Sequence, residues 1–308
     1  MEENKNSEIQ TDSAKLIEEA IRAFVRTSPK NRLADADNGF IYDEPLVGFA
    51  DGDDPIFTEY KAIIDPIHLT PREAMAMAVN KSPEDLPRRL SVISFILPFS
   101  SQIRKSMRRR KLTPSRFWAY GRAYGARFNY DLQKYLIELI TEKGYLATSP
   151  TLQSYYWKAY DTSVHEKAPF SNWSERHIAY AAGLGTFGLS DGLITERGIA
   201  HLCGSILTDL PLPASPRTAI NPHSNCLFYT NAGCRACITR CPAEAITEGG
   251  HNKIKCREYG RSVRYLGEKY QVETVGCGFC QTKVPCEFQN PVKKQRKKEI
   301  SCLNQKRH

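Results

Sequence analysis

None of the ten cysteines in this 308-residue chain occurs before Cys203, and nine of them fall between Cys226 and Cys302. Thiols that merely fill a core would be scattered along a chain, whereas thiols gathered in one segment form a ligand set. The amino-terminal stretch MEENKNSEIQTDSAK is acidic and polar. It has neither the apolar core of a signal peptide nor a twin-arginine leader, so the expected compartment is the cytoplasm. Thiols stay reduced there and disulfides are rare, which leaves metal as the reason for the clustering. With 41% hydrophobic and 25% charged residues the chain has globular usage, not that of a disordered protein or a coiled coil. No stretch approaches the roughly 18 consecutive apolar residues of a membrane span, so no membrane partner is expected.

The spacing of the thiols is informative. Cys226-LFYTNAG-Cys234-RA-Cys237-ITR-Cys241-Pro242-AEAI contains Cys-x2-Cys-x3-Cys-Pro, most of the bacterial ferredoxin run. In that run the last cysteine ligates the other cluster. Short gaps curl the backbone so that several thiolates converge on one cubane. The proline ends the loop, and AEAI is expected to open a helix. A second group follows at Cys256, Cys277, Cys280 and Cys286. Two [4Fe–4S] clusters need eight thiolates, and the two groups hold eight. By ferredoxin logic Cys226, Cys234, Cys237 and Cys286 bind one cluster, and Cys241, Cys256, Cys277 and Cys280 bind the other. Asn231 stands where the run's first cysteine would be, and Cys226 is its substitute. Cys203 and Cys302 are left as bystanders. Paired Cys-x2-Cys elements can also build tetrahedral zinc sites, which is the alternative reading of the same residues.

The preceding residues read as a mixed α/β (α+β) region. Residues 14–26 place Leu16, Ile17, Ala20, Ile21, Phe24 and Val25 on one helical face. Residues 30–68 read as loops with room for one short helix. Thr70-Pro71-Arg72-Glu73 is a helix start, opening a helix to about Asn80. LSVISFILP at 90–98 reads as a buried central strand. Pro114 to Lys143 reads as a long helix with kink points at Gly121 or Gly125, followed by a short strand in YLATSP. A short helix at 174–182 and a strand at 201–209 complete this part. Composition then shifts to Cys, Gly, Pro and Lys. The expected organisation is an α/β domain over 1–215, a ferredoxin-like domain over 216–292 and a basic tail over 293–308.

The segment Ser174-ERHIAYAAGLGTFGLSDGLIT, the strand GSILTDLPL and the two cysteine groups, in that order, resemble the epoxyqueuosine reductase family. Its members are cobalamin-dependent iron–sulfur reductases related to the reductive dehalogenases. The resemblance runs over roughly residues 160–290, and the amino-terminal third agrees only loosely. It implies a corrinoid on the α/β domain, with Gly183, Leu184, Gly185, Phe187 and Gly188 in the loop beside the macrocycle. A tight helix-to-strand turn would use the same glycines. In the family an aspartate within an Asp-x-x-Pro-Val-like stretch, just before the acidic helix residue, donates a proton. Counting back from Glu175 reaches Pro169. The nearest similar stretch, Asp161-Thr162-Ser163-Val164, makes Asp161 a candidate acid, with Tyr156 and Tyr160 as rivals because the dehalogenases use a tyrosine.

Three features set the chain apart from the family pattern: the missing acid at Pro169, the x5 spacing before Cys286, and the absence of the helical repeat region that follows the clusters in longer members. They favour a small-molecule substrate over tRNA. The expected electron source is a small ferredoxin- or flavodoxin-type protein. The basic run Arg104-Lys105 and Arg108-Arg109-Arg110-Lys111 can attract such an acidic partner or nucleic acid. Two further readings use the same residues: a two-cluster electron relay without corrinoid, and an enzyme with flavin in place of cobalamin.

Overall fold

The computed structural model describes residues 2–33, 39–159, 169–230 and 233–296. Nine helices are described: α1 Glu2–Thr27, α2 Ile56–Ile63, α3 Pro71–Val79, α4 Ser101–Ser106, α5 Arg116–Thr141, α6 Glu175–Ala181, α7 Ala236–Arg240, α8 Lys253–Ser262 and α9 Leu266–Tyr270. The strands of the amino-terminal half are β1 Arg32–Leu33, β2 Gly39–Phe40, β3 Leu46–Asp51, β4 Ser91–Pro98 and β5 Ala147–Thr148. Beyond them come β6 Lys158–Ala159, β7 Phe170–Ser171, β8 Gly185–Phe187, β9 Leu193–Thr195, β10 His201–Thr208, β11 Ile246–Thr247 and β12 Gly250–His251. The result is a mixed fold of helices around one four-stranded sheet, with four two-stranded pairs (β1-β2, β6-β7, β8-β9 and β11-β12) beside it.

That sheet has the order β3-β4-β10-β5, and every ladder in it is antiparallel. β4 is buried along its whole length, although antiparallel sheets often leave one face wet. Successive side chains of a strand point to opposite faces. Ile93, Phe95 and Leu97 enter a core with Phe128, Leu132, Leu136 and Ile140 of α5 and with Ile17 and Ile21 of α1. Val92 turns the other way, into a second core with Ala74 and Met75 of α3 and Ile178 of α6. Each such side chain contributes roughly 1.5–3 kcal/mol of burial. Register pairs Ile96 with Cys203 and Ser94 with Ser205, which fixes the polar groups discussed below at the centre of the sheet.

Most helices fall where the apolar spacing places them. The start of α3 is a full capping box: Thr70 accepts from the Glu73 backbone, and Glu73 reaches back to the Thr70 backbone. Four differences have local causes. Leu16 is 42% exposed, so the buried stripe of α1 is narrower than its apolar residues. α5 is one continuous helix. Its Gly121 sits against Phe99 and Ile103 and its Gly125 against Tyr42, so both glycines serve close packing. β3 lies inside the segment read as loops, because its flanking Asp, Pro and Gly residues mask a six-residue strand. AEAI does not open a helix. The Ala245 N–H donates to Cys241 Sγ at 3.3 Å, Glu244 takes a positive φ of 49°, and Ile246–Thr247 pairs with Gly250–His251. Among the described residues, no helix is long and apolar enough to cross a membrane. The basic tail is described only to residue 296, and Cys302 lies outside the described residues.

Candidate metal centre

Nine cysteines fall among the described residues, and none of them is in a disulfide. Cys226 lies in a turn where its N–H donates to the His223 carbonyl at 2.9 Å. Cys234 precedes α7, Cys237 lies within α7, and Cys286 arrives from a loop far along the chain. These four thiols line one cavity, together with Leu189, Ile194, Phe228 and Val284. Burial pushes the Cys237 thiol up to about 11, and its neighbours Cys226 and Cys234 push in the same direction. Cys286 is raised by burial and then by Cys226, Cys237 and Cys234. Thiols in this situation are neutral until a cation compensates them, so metal binding there is coupled to proton release.

The other four thiols form a neighbouring group. Cys241 closes α7, Cys256 lies in α8, Cys277 precedes Gly278, and Cys280 lies within a one-turn 3-10 helix at Phe279–Gln281. Cys277 is pushed up to about 12, mainly by burial, with Cys256 and Cys241 adding to it. Cys280 is raised by burial and then by Cys277, Cys256, Cys237 and Cys241. Cys286 thus joins the thiols of the 226–237 segment, and Cys241 joins those of the later segment. Among the described residues, no three His, Cys, Asp or Glu side chains converge tightly enough to hold a single metal ion. An all-thiol donor set around an apolar space has the chemistry an iron–sulfur cluster requires. Asn231 lies outside the described residues. Cys203 belongs to neither group: on β10, its Sγ is 3.6 Å from His201 Nδ1.

The glycine-rich loop abuts the first thiol group. Phe187 N–H donates to the Pro222 carbonyl at 2.6 Å, and the Asn225 N–H donates to Thr186 Oγ1 at 2.8 Å. Gly183 has a φ of +73° at the end of α6. A Cβ on Gly185 would stand 2.6 Å from the Ile194 carbonyl, so the β8–β9 hairpin itself requires this glycine. Gly188 is buried beside Ile194. Leu184 and Phe187 remain half-buried, with Leu46, Tyr180 and Cys203, around buried Ile96. This half-open apolar strip fits a flat macrocycle.

Beside the strip, the sequence contains a functional group that periodicity did not single out. Glu175 opens α6, and its Oε1 accepts from Ser205 Oγ at 3.1 Å. Ser205 is oriented by Trp173 Nε1, which donates to it at 3.0 Å. Glu175 Oε2 is buried without a hydrogen-bond partner among the described residues. Burial pushes this carboxyl up to about 7, against the opposing pull of Ser205 and Lys158. The resemblance uses Glu175 only as the acidic mark of a short helix, and the fold adds that Ser205 of β10 lies against its carboxyl. Of the three candidate acids, Tyr156 packs at the edge of the second core, with Lys158 Nζ 5.2 Å from its ring centre. Tyr160 and Asp161 lie outside the described residues.

No model of a known protein family matches the sequence. A segment of 132 residues is 29% identical to the epoxyqueuosine reductase of Bacillus cereus, covering 41% of this chain and 32% of that enzyme. The shared part is thus about a third of the relative's length. Among solved structures, an epoxyqueuosine reductase with an epoxyqueuosine-modified tRNA-Tyr stem loop aligns with a TM-score of 0.46 and 17% identity, covering 79% of this chain and 61% of that one. A catabolic reductive dehalogenase aligns with a TM-score of 0.45 and 15% identity, covering 92% of this chain and 38% of that one. Over that segment the chain is similar to an epoxyqueuosine reductase, an enzyme of the family its motifs resemble.

Proposed function

We propose that the chain is a cytoplasmic iron–sulfur oxidoreductase of the epoxyqueuosine reductase type. In this reading one [4Fe–4S] cluster is held by Cys226, Cys234, Cys237 and Cys286, and a second by Cys241, Cys256, Cys277 and Cys280. Both belong to a ferredoxin-like region over residues 216–292, and cobalamin is bound by the region over residues 1–215. The observation that carries the reading is the convergence of Cys226, Cys234 and Cys237 with Cys286, which comes from far along the chain, on one apolar cavity.

When bound, the clusters supply one-electron transfer at low potential and the corrinoid supplies a strongly nucleophilic reduced metal. The chain's own residues do the rest. Leu189, Ile194, Phe228 and Val284 keep water from the first thiol group. The Ala245 N–H donates to Cys241 Sγ and orients that thiol. Leu184 and Phe187, on the loop with Gly183, Gly185 and Gly188, hold the macrocycle on the half-open strip. Asp161, with Tyr156 and Tyr160 as the neighbouring alternatives, is the acid that supplies a proton to the product.

A small reducible organic molecule is the substrate class this reading puts first, on the strength of the departure at Pro169. The relative solved with a tRNA stem loop makes epoxyqueuosine-containing tRNA the competing substrate. The test is anaerobic reconstitution followed by metal analysis, cobalamin binding and turnover. About eight irons per chain, on the count of two cubanes, and a shifted hydroxocobalamin spectrum are expected. Stoichiometric zinc would overturn the reading. Full iron without corrinoid binding would leave a two-cluster relay, and turnover of the tRNA would replace the small molecule.

A further inference from the structure

The basic run ahead of α5 has a definite place in the fold. Arg240, next to Cys241 in the chain, donates to the Arg110 carbonyl at 2.7 Å, the Met107 carbonyl at 3.2 Å and the Thr282 carbonyl at 3.2 Å. Its guanidinium lies 4.9 Å from the ring centre of Phe279, the residue before Cys280. It is also within Coulombic reach of Cys277. From the other end, Arg108 reaches Glu287, the buried neighbour of Cys286, at 3.4 Å. The loop from Met107 to Leu112 is therefore fastened to both thiol groups, about one arginine side chain from the second.

Its outer surface is left to solvent. Lys105, Arg109 and Lys111 are exposed and have no acidic partner among the described residues, while Arg104 is neutralised by Asp43 at 3.5 Å. Leu112, 68% exposed, stands beside these cations. Unpaired cations with an apolar neighbour suit a protein interface, where charge steers the encounter and an apolar contact holds it. A phosphate backbone would use the cations but not the leucine, nor would it explain why the loop is fastened to the cysteines.

We propose that the surface formed by Lys105, Arg109, Lys111 and Leu112 docks a small acidic redox protein that delivers electrons to the group of Cys241, Cys256, Cys277 and Cys280. The inference rests on the cluster reading given above. The transfer is an outer-sphere step: the reduced donor loses one electron, the acceptor bound by those thiols gains it, and no bond is made or broken. Net charge supports the match. The chain carries +9 with histidines neutral, so a negatively charged donor is attracted over its whole approach.

The test uses the reconstituted full chain and reduced flavodoxin as the acidic probe. Complex formation is followed by calorimetry and reduction by anaerobic stopped-flow absorbance. The variant Lys105→Glu/Arg109→Glu/Lys111→Glu is expected to retain full iron and normal reduction by dithionite. Its second-order rate with flavodoxin is expected to fall by roughly tenfold or more at low ionic strength. The wild-type rate is expected to drop steeply with added salt. Equal flavodoxin rates and affinities for the iron-loaded variant and wild type would overturn the docking surface alone. Loss of tRNA stem-loop binding with unchanged flavodoxin reduction would assign the patch to RNA and overturn it too. A chain that takes up no iron would remove the cluster reading, and the docking inference with it.

Discussion

Glu175 and Cys226 are the two side chains whose chemistry depends most on where the fold puts them. In the unfolded chain the Glu175 carboxyl ionises near its ordinary value of 4.5, whereas burial raises it to about 7 against the opposing pull of Ser205 and Lys158. Between those values the folded state holds a proton that the unfolded state has released. Stability therefore falls by roughly 3 kcal/mol as pH rises through that window and levels off above it. Glu175→Gln removes the titration. Denaturant midpoints at about pH 5.5 and about pH 8.5 are expected to converge in the variant relative to wild type, and parallel profiles would show that the carboxyl is not sealed. Cys226 is 8% exposed and shares its cavity with Cys234, Cys237 and Cys286. Cys226→Ser is expected to cost about half of the eight irons that two cubanes require, while Cys203→Ser keeps them all. Full iron in the Cys226 variant would transfer its role to another group.

The elements differ in how far their sequences declare them. α3 could be read from its cap and α5 from a run of apolar residues at helical spacing, because local chemistry and burial agree there. β4 was legible because eight residues in a row are buried and rich in branched side chains. β3 was hidden, since its pairing with β4 is a contact between distant residues and its own flanks look like turns. The cysteine spacing declared a ligand set but not its backbone, as the turn at AEAI illustrates. It also gave no hint of Arg240 holding the basic loop. Gly278 shows how tightly that backbone is determined. Its φ is +73°, and a Cβ there would run into the indole of Trp118, which is 1% exposed. Gly278→Ala is expected to destabilise by about 2–4 kcal/mol, combining a left-handed penalty with overpacking, and to loosen Cys277 and Cys280. Gly260 in α8 has nothing within 4 Å of a built Cβ. Gly260→Ala is expected to stabilise by roughly 0.5–1 kcal/mol. Equal effects in thermal melts would mean that packing around the cysteine loop is slack.

The cohesion of the molecule is uneven. The sheet, α1 and α5 share a large core that holds Trp118, Phe95, Phe99 and Phe128 among its fully buried side chains. Around the thiols most of the described elements are short: α7 has five residues and β11 and β12 two each, the ten-residue α8 being the exception. Their apolar cluster is small, built on Leu189, Ile194, Ile199, Cys226, Ile246 and Val284, and no disulfide braces it. Short elements with little apolar burial cannot offset their ordering entropy alone, and a bound metal group supplies the missing free energy directly. Iron removal should therefore act locally. After anaerobic chelation, amides of Cys226–Cys241 and Cys277–Cys286 are expected to exchange far faster than in the loaded protein. Amides of β4, β10 and α5 are expected to keep most of their protection, because most of their core lies away from the thiols and meets the cysteine loop mainly at Phe279. Hydrogen-exchange mass spectrometry on the two states reads this peptide by peptide. Uniform loss of protection would show that the thiol region and the sheet fold as one cooperative unit. Unchanged protection in the cysteine peptides would show that the thiol cage is already rigid, held by contacts such as Arg240 to Met107 and Arg110 and His251 to Asp191.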